Sequence, residues 1–179
     1  KLFELCTDKN SNLGAASANF RRVQIIRVTT AHDFRDPETV QQVADQIERF
    51  PGTSLHGSFP CTVWSTWQEM AIHKYGAPYL KELNKRRRES ICMIKAFICL
   101  AERVLTLGGE VSFEWPASCR GWLIPELLAF ITRWNLFEVI VDGCALGMCD
   151  NKGDPILKRW RFVTSSCRMH TALSVFTCT

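Results

Sequence analysis

Long apolar runs are missing from this 179-residue chain. None approaches the roughly 18 residues that span a bilayer, and no charged-then-apolar leader with a small-residue cleavage site opens it. The expectation is an intracellular protein, nuclear or cytoplasmic, with no membrane partner. No Cys-x-x-Cys pair occurs. The tail set Cys144, Cys149, Cys167, His170 and Cys178 has the residue types of a zinc site but not its usual spacing, and no metal is assigned. An excess of charge of one sign is also missing: the net charge of +4 is modest, a weak pointer to nucleic acid. A phosphate-cradling run is absent after Cys61, since Thr62 to Thr66 holds neither glycine nor arginine.

What is present fits one globular domain over residues 1–179. Hydrophobic residues are 46% and charged residues 22%, which argues against disorder and coiled coil. Nine cysteines, an odd number placed singly in apolar stretches, suit reduced thiols better than a disulfide framework. Lys85-Arg86-Arg87-Arg88 forms one cationic block, and Lys158, Arg159, Arg161 and Arg168 a second. Within a helical pattern, the first reads as a solvated face.

Apolar runs and helical periods alternate. Strands are predicted at Leu2 to Cys6, Val23 to Thr29, Ser54 to Phe59, Glu110 to Trp115, Phe137 to Val141 and Arg159 to Thr164. A short helix opens at Leu13. Asp36 and Pro37 begin a helix carrying Val40, Val43, Ile47 and Phe50 on one face. An aromatic loop leads to Pro78, a long helix runs from Tyr79 to Leu107 and closes at Gly108-Gly109, and further helices lie around Pro125 to Trp134 and after Ser166. This order predicts an α/β fold, a mostly parallel sheet with helices on both faces.

In such a sheet, ligands sit beyond the carboxyl ends of the strands. Glu4 with its polar turn, Asp33, Cys61, Glu114 and Asp142-Gly143 fall there. Cys61, after Pro60 at a strand end, is a candidate nucleophile; a buried apolar thiol is the plainer alternative. Glu114, inside an apolar strand, is costly to bury without a purpose, although an ion pair with Arg120 or Arg133 would account for it. By itself Asp33 reads as a turn residue, and His56 as a satisfied core histidine. Trp64 and Trp67 suit either base stacking or a lid over the core.

The order of these pieces resembles the cytosine carbon-5 DNA methyltransferases. Leu2-Phe3-Glu4-Leu5-Cys6 with Leu13-Gly14 is similar to the first strand and cofactor loop, and His32-Asp33-Phe34 to the acidic step at the adenine end. Phe59-Pro60-Cys61 is similar to the Pro-Cys nucleophile motif, Phe113-Glu114-Trp115-Pro116 to the Glu-Asn-Val motif, and Pro155 to Phe162 to the arginine-rich strand. Chains of this pattern are expected within mobile-element polyproteins.

The resemblance implies a Rossmann-like S-adenosylmethionine-dependent methyltransferase fold. Cys61 would add to carbon 6 of cytosine, Glu114 would hold ring nitrogen 3 and the exocyclic amine, and Arg159 and Arg161 would steady the flipped base. Glu4, Asp8, Gly14, Asp33 and Pro60 would line the cofactor. The partner implied is nucleic acid, DNA before RNA, with a partner chain supplying the absent target-recognition region. Departures are plain: Asp8 to Asn12 is not glycine-rich, Thr62 follows Cys61, and Ile156 replaces the Gln of the arginine motif. The rivals are a degenerate methyltransferase fold serving as an interaction module, and a Cys-dependent hydrolase using Cys61 with His56 or His73.

Overall fold

Six strands and five α-helices follow the predicted order in the computed structural model, which describes residues 1–20, 23–29 and 31–178. They are β1 (Leu2–Thr7), α1 (Asn12–Ala16), β2 (Ile25–Thr29), α2 (Pro37–Arg49), β3 (Ser54–Gly57), α3 (Trp67–Thr106), β4 (Val111–Pro116), α4 (Pro125–Arg133), β5 (Phe137–Asp142), β6 (Arg159–Thr164) and α5 (Cys167–Leu173). The strands form one sheet of order β2-β1-β3-β4-β6-β5. Neighbours from β2 through β4 are parallel, whereas β6 runs antiparallel to both β4 and β5. The connections explain this. Helices carry the chain back between β2 and β5, but residues 143–158 contain only a 3-10 turn at Gly143–Leu146. Without a crossover helix, the chain can only return beside β5 in reverse.

Strand alternation divides the side chains between two faces. Phe3, Leu5, Leu55, Val111, Phe113, Trp115 and Val163 are buried on one face and join Ile47, Phe97, Leu100, Leu127 and Phe130 of α2, α3 and α4 in one core. Its centre is aromatic: Phe113 meets Trp115 at 4.8 Å and Trp122 at 5.4 Å, both edge to face. The other face carries Glu4, His56, Ser112 and Thr164 in lateral register. Among the described residues, the helices beside it are α1 and α5, five and seven residues long. Helices therefore occupy both faces, unequally.

Local signals account for most boundaries. Asp36 accepts from the Glu38 and Thr39 amides, and Pro37 opens α2. Ser166 caps α5 through the Met169 amide. The aromatic loop expected before Pro78 is instead helix from Trp67, broken at Gly76 (φ 68°, ψ −156°). A long-range polar clasp holds this first segment: the buried Gln68 donates to the Thr62 carbonyl at 2.8 Å and accepts from the Tyr79 hydroxyl.

The expectation of nine reduced thiols also needs correcting, because Cys144 and Cys178 are joined. The tail is brought there by Asp142, whose amide donates to Phe176 and whose carboxylate accepts from the Cys178 amide. Thr30, just past the strand predicted at Val23 to Thr29, lies outside the described residues. Among the described residues, no helix is long and apolar enough to cross a membrane.

Gly109 precedes β4 at a close approach: a Cβ there would stand 2.0 Å from the Thr53 carbonyl oxygen. Backbone must move to admit it. Gly109→Ala is expected to destabilise the fold by about 1–3 kcal/mol, read as a lower urea midpoint with an unchanged slope.

Candidate functional site

β1 to β4 end on a common edge, and the strand order reverses around β1, where α/β sheets open a crevice. From β3, Ser58 and Phe59 lead to Pro60 and Cys61. Phe59 is buried, and its carbonyl accepts from the Trp115 indole at 2.6 Å, which pins this loop to β4. Cys61 has φ −91° and ψ −6°, the bridge region that many active-site residues occupy. Its carbonyl accepts from the Trp64 amide. The Trp64 indole donates to Ser90, and Arg87 lies over its ring while donating to the Val63 carbonyl. Trp64 is thus a fastening between loop and helix; Trp67, by contrast, is exposed.

Glu114 approaches from β4. The Ser58 hydroxyl donates to its Oε1, so β3 and β4 meet at this carboxyl, while Oε2 is buried with no hydrogen-bond partner among the described residues. Burial pushes the carboxyl above its ordinary value, and the Ser58 hydrogen bond and the Lys158 charge pull it back in part. The ion-pair alternative fails, because Arg120 is engaged by Glu69 and Arg133 by Glu102. Cys119 is a buried thiol of the core. Burial first pushes its thiol up to about 11, the Gly121 amide opposes this, and the charges of Cys61 and Glu114 add to it.

The two arginines do not join them. Arg161 pairs with Trp115 in the β4–β6 register, whereas Glu114 pairs with Phe162, so Arg161 projects from the opposite face of the sheet. There it meets Glu138 and lies 4.7 Å over the Trp122 ring. Arg159 shares that side by alternation. It donates from Nε to Asp142 at 2.9 Å, and the Cys178 amide, with Arg159 second, holds the Asp142 carboxyl below its usual range. Lys158, which the sequence placed only in a basic block, acts on the Glu114 carboxyl through its charge, while its ammonium lies 4.6 Å over the Trp160 ring.

The predicted cofactor residues divide in the same way. Glu4 is buried and fully engaged, accepting from Thr7 at 2.9 Å and Ser11 at 2.7 Å, with Arg27 3.9 Å away. Gly14 lies beneath that arginine: a Cβ would stand 1.5 Å from Arg27 Nη2. Its lack of a side chain serves the Arg27 network. Asp8 is exposed and accepts from the Asn10 amide in a local turn.

Asp33 and Pro60 do come together, lining one cavity of about 400 Å³ with Cys6, Phe34, Arg86 and Met93. Arg35 grips both Asp33 oxygens at 2.8 and 2.9 Å, and this fork holds the carboxyl down at about 2. Cys6, which sequence reasoning missed, has φ 57°, and burial pushes its thiol up to about 12. A non-glycine residue in the left-handed region at the end of β1 marks strain beside the cavity. His56 bonds Ser112 at 2.8 Å, which suits the satisfied histidine rather than a partner for Cys61. No family model, curated protein or solved structure matches the chain.

Proposed function

We propose that this chain is a methyltransferase-like domain that methylates carbon 5 of cytosine in nucleic acid, DNA before RNA, using S-adenosylmethionine and the Cys61 thiolate. The observation that carries this is Glu114, whose Oε2 is buried and unpartnered among the described residues, bonded through Oε1 to Ser58 at the end of the neighbouring parallel strand that leads to Pro60 and Cys61. An otherwise parallel sheet whose last strand returns reversed is in keeping with a Rossmann-like methyltransferase fold. The cavity volume suits a small cofactor, with Phe34 and Met93 offering an apolar wall and Asp33 a polar rim.

When bound, the cofactor supplies an electrophilic methyl group on sulfur. Cys61 Sγ would form a bond to carbon 6 of the base, the carbon 5–carbon 6 pair would move to carbon 5, and carbon 5 would take the methyl as the sulfur–methyl bond breaks and its electron pair stays on the departing thioether. The carbon-5 proton then passes to water, the sulfur–carbon 6 bond breaks, and the thiolate is restored. Glu114, whose carboxyl burial pushes above its ordinary value, would share a proton with ring nitrogen 3 and so relieve charge during the addition. Its second oxygen would accept from the exocyclic amine.

The test is covalent trapping. With a 5-fluorocytosine oligonucleotide and the cofactor, the carbon 5 fluorine cannot leave as a proton does, so the wild-type chain should gain the oligonucleotide's mass. Cys61→Ser should gain none. Wild-type protein that binds S-adenosylhomocysteine yet forms no adduct would sink the catalytic assignment.

A second reading is a catalytically silent version of this fold serving as an interaction module. The Asp33–Arg35 fork favours it, because it already occupies both oxygens that would accept from the cofactor, and so does the loop Asp8 to Asn12, which is not glycine-rich. It would be supported by nucleic-acid retention indifferent to Cys61→Ser together with no S-adenosylhomocysteine binding at millimolar concentration.

A further inference from the structure

The cationic block of α3 divides its four side chains among different environments. Lys85 and Arg88 are exposed, and Arg87 is committed to Val63 and Trp64. Arg86 instead lines the Asp33–Pro60 cavity, with its Nε buried and without a hydrogen-bond partner among the described residues. The cavity's two carboxylates do not serve it. Asp33 is forked to Arg35, and Glu89 lies 3.4 Å from the same guanidinium.

From this we infer that Arg86 is the anion-binding residue of the cavity, taking a carboxylate or phosphate oxygen of the bound ligand. Two features support this independently of any family. A buried donor left unpaired is costly, so its partner is expected to come from outside the chain. A guanidinium also presents its donors as a planar fork matched to carboxylate and phosphate. The solvated-face reading of the block therefore fails at Arg86, because the helix turns that position toward Ser90 and Met93, which line the same cavity.

Resting on the methyltransferase reading, the anion is the cofactor's amino-acid carboxylate, its one carboxyl group. Asp33 and Arg86 would then mark two polar positions on the cavity wall, a carboxylate for hydroxyl or amine donors and a guanidinium for the acid.

The experiment is calorimetric titration of the whole chain with S-adenosylhomocysteine and with methylthioadenosine, which lacks the amino acid. Wild type should prefer the former by about tenfold to a hundredfold, the range of one charged hydrogen-bonded contact. In Arg86→Met the preference should shrink to within about threefold while methylthioadenosine affinity holds. Arg86→Lys, which keeps the charge without the Nε donor, should fall between. An unchanged circular dichroism melt establishes that each variant folds.

A preference that survives Arg86→Met, or equal weakening of both compounds, overturns the assignment. If neither compound binds wild type, the methyltransferase reading falls, and pyrophosphate then decides the anion site. Binding lost in Arg86→Met upholds it with phosphate as the ligand group; no pyrophosphate binding overturns it.

Discussion

Glu114→Gln is expected to make the protein more stable at neutral and alkaline pH while slowing methyl transfer by about 10²- to 10⁴-fold. Burial raises the Glu114 carboxyl above its ordinary value of 4.5 in the folded state. Below the unfolded value the group is protonated in both states, and its neutral form is fully favourable. As pH rises through the folded value, the carboxyl must ionise with one oxygen buried and unpartnered, and stability is lost. Gln stays neutral throughout and retains an acceptor for the Ser58 hydroxyl. The melting temperatures of the two proteins should therefore converge in acid and separate as pH rises. Gln cannot release a proton toward ring nitrogen 3, so the catalytic loss follows from the same substitution. A Gln variant less stable than wild type at every pH would show that the Ser58 bond to an ionised carboxylate outweighs burial, and would remove the basis for a neutral Glu114.

The second large effect is structural. Trp115→Ala should leave too little stability for cooperative folding at physiological temperature. The indole is 1% exposed and packs edge to face on Phe113 and on Trp122, at 4.8 and 5.8 Å. Truncating a buried aromatic residue costs about 3–5 kcal/mol, and the Phe59 carbonyl would lose its partner, adding about 1–3 kcal/mol. Together these approach the total stability of an ordinary domain, about 5–15 kcal/mol. Trp115→Phe separates the two contributions: most of the packing survives, and the remaining loss reflects the freed carbonyl. Urea unfolding would measure both variants. A cost below about 1 kcal/mol for Trp115→Ala would contradict the burial of this ring. Since Phe59 leads directly to Pro60 and Cys61, the Phe variant should also slow trapping on fluorocytosine.

Much of the candidate site was legible before the fold was known. A thiol after Pro60 at a strand end and a carboxylate inside Phe113-Glu114-Trp115 both stand out, because each breaks an apolar pattern at a place where strands terminate. As cofactor residues, Asp33 and Pro60 entered only through the resemblance, since Asp33 by itself reads as a turn residue. Arg161 was misplaced, because a strand's alternation shows that Arg159 and Arg161 share a face but not which face that is. Gly14 pointed to a close approach, and the approaching group proved to be Arg27 rather than a ligand. Arg86 was hidden within a run of four cations, since nothing local distinguishes a cation facing a cavity from one facing water.

The sequence by itself determined what short-range physics controls. The six strands follow from apolar runs, α2 from its Asp36 cap and Pro37, and the ends of α3 and α2 from Gly108 and Pro51-Gly52. Tertiary structure alone decided the strand order, the reversal of β6, the joining of Cys144 to Cys178, and the placing of Arg161 on the sheet face away from Glu114. The reason is register: shifting a strand by one residue sends every side chain to the other face, and register is settled by contacts between segments far apart in the chain.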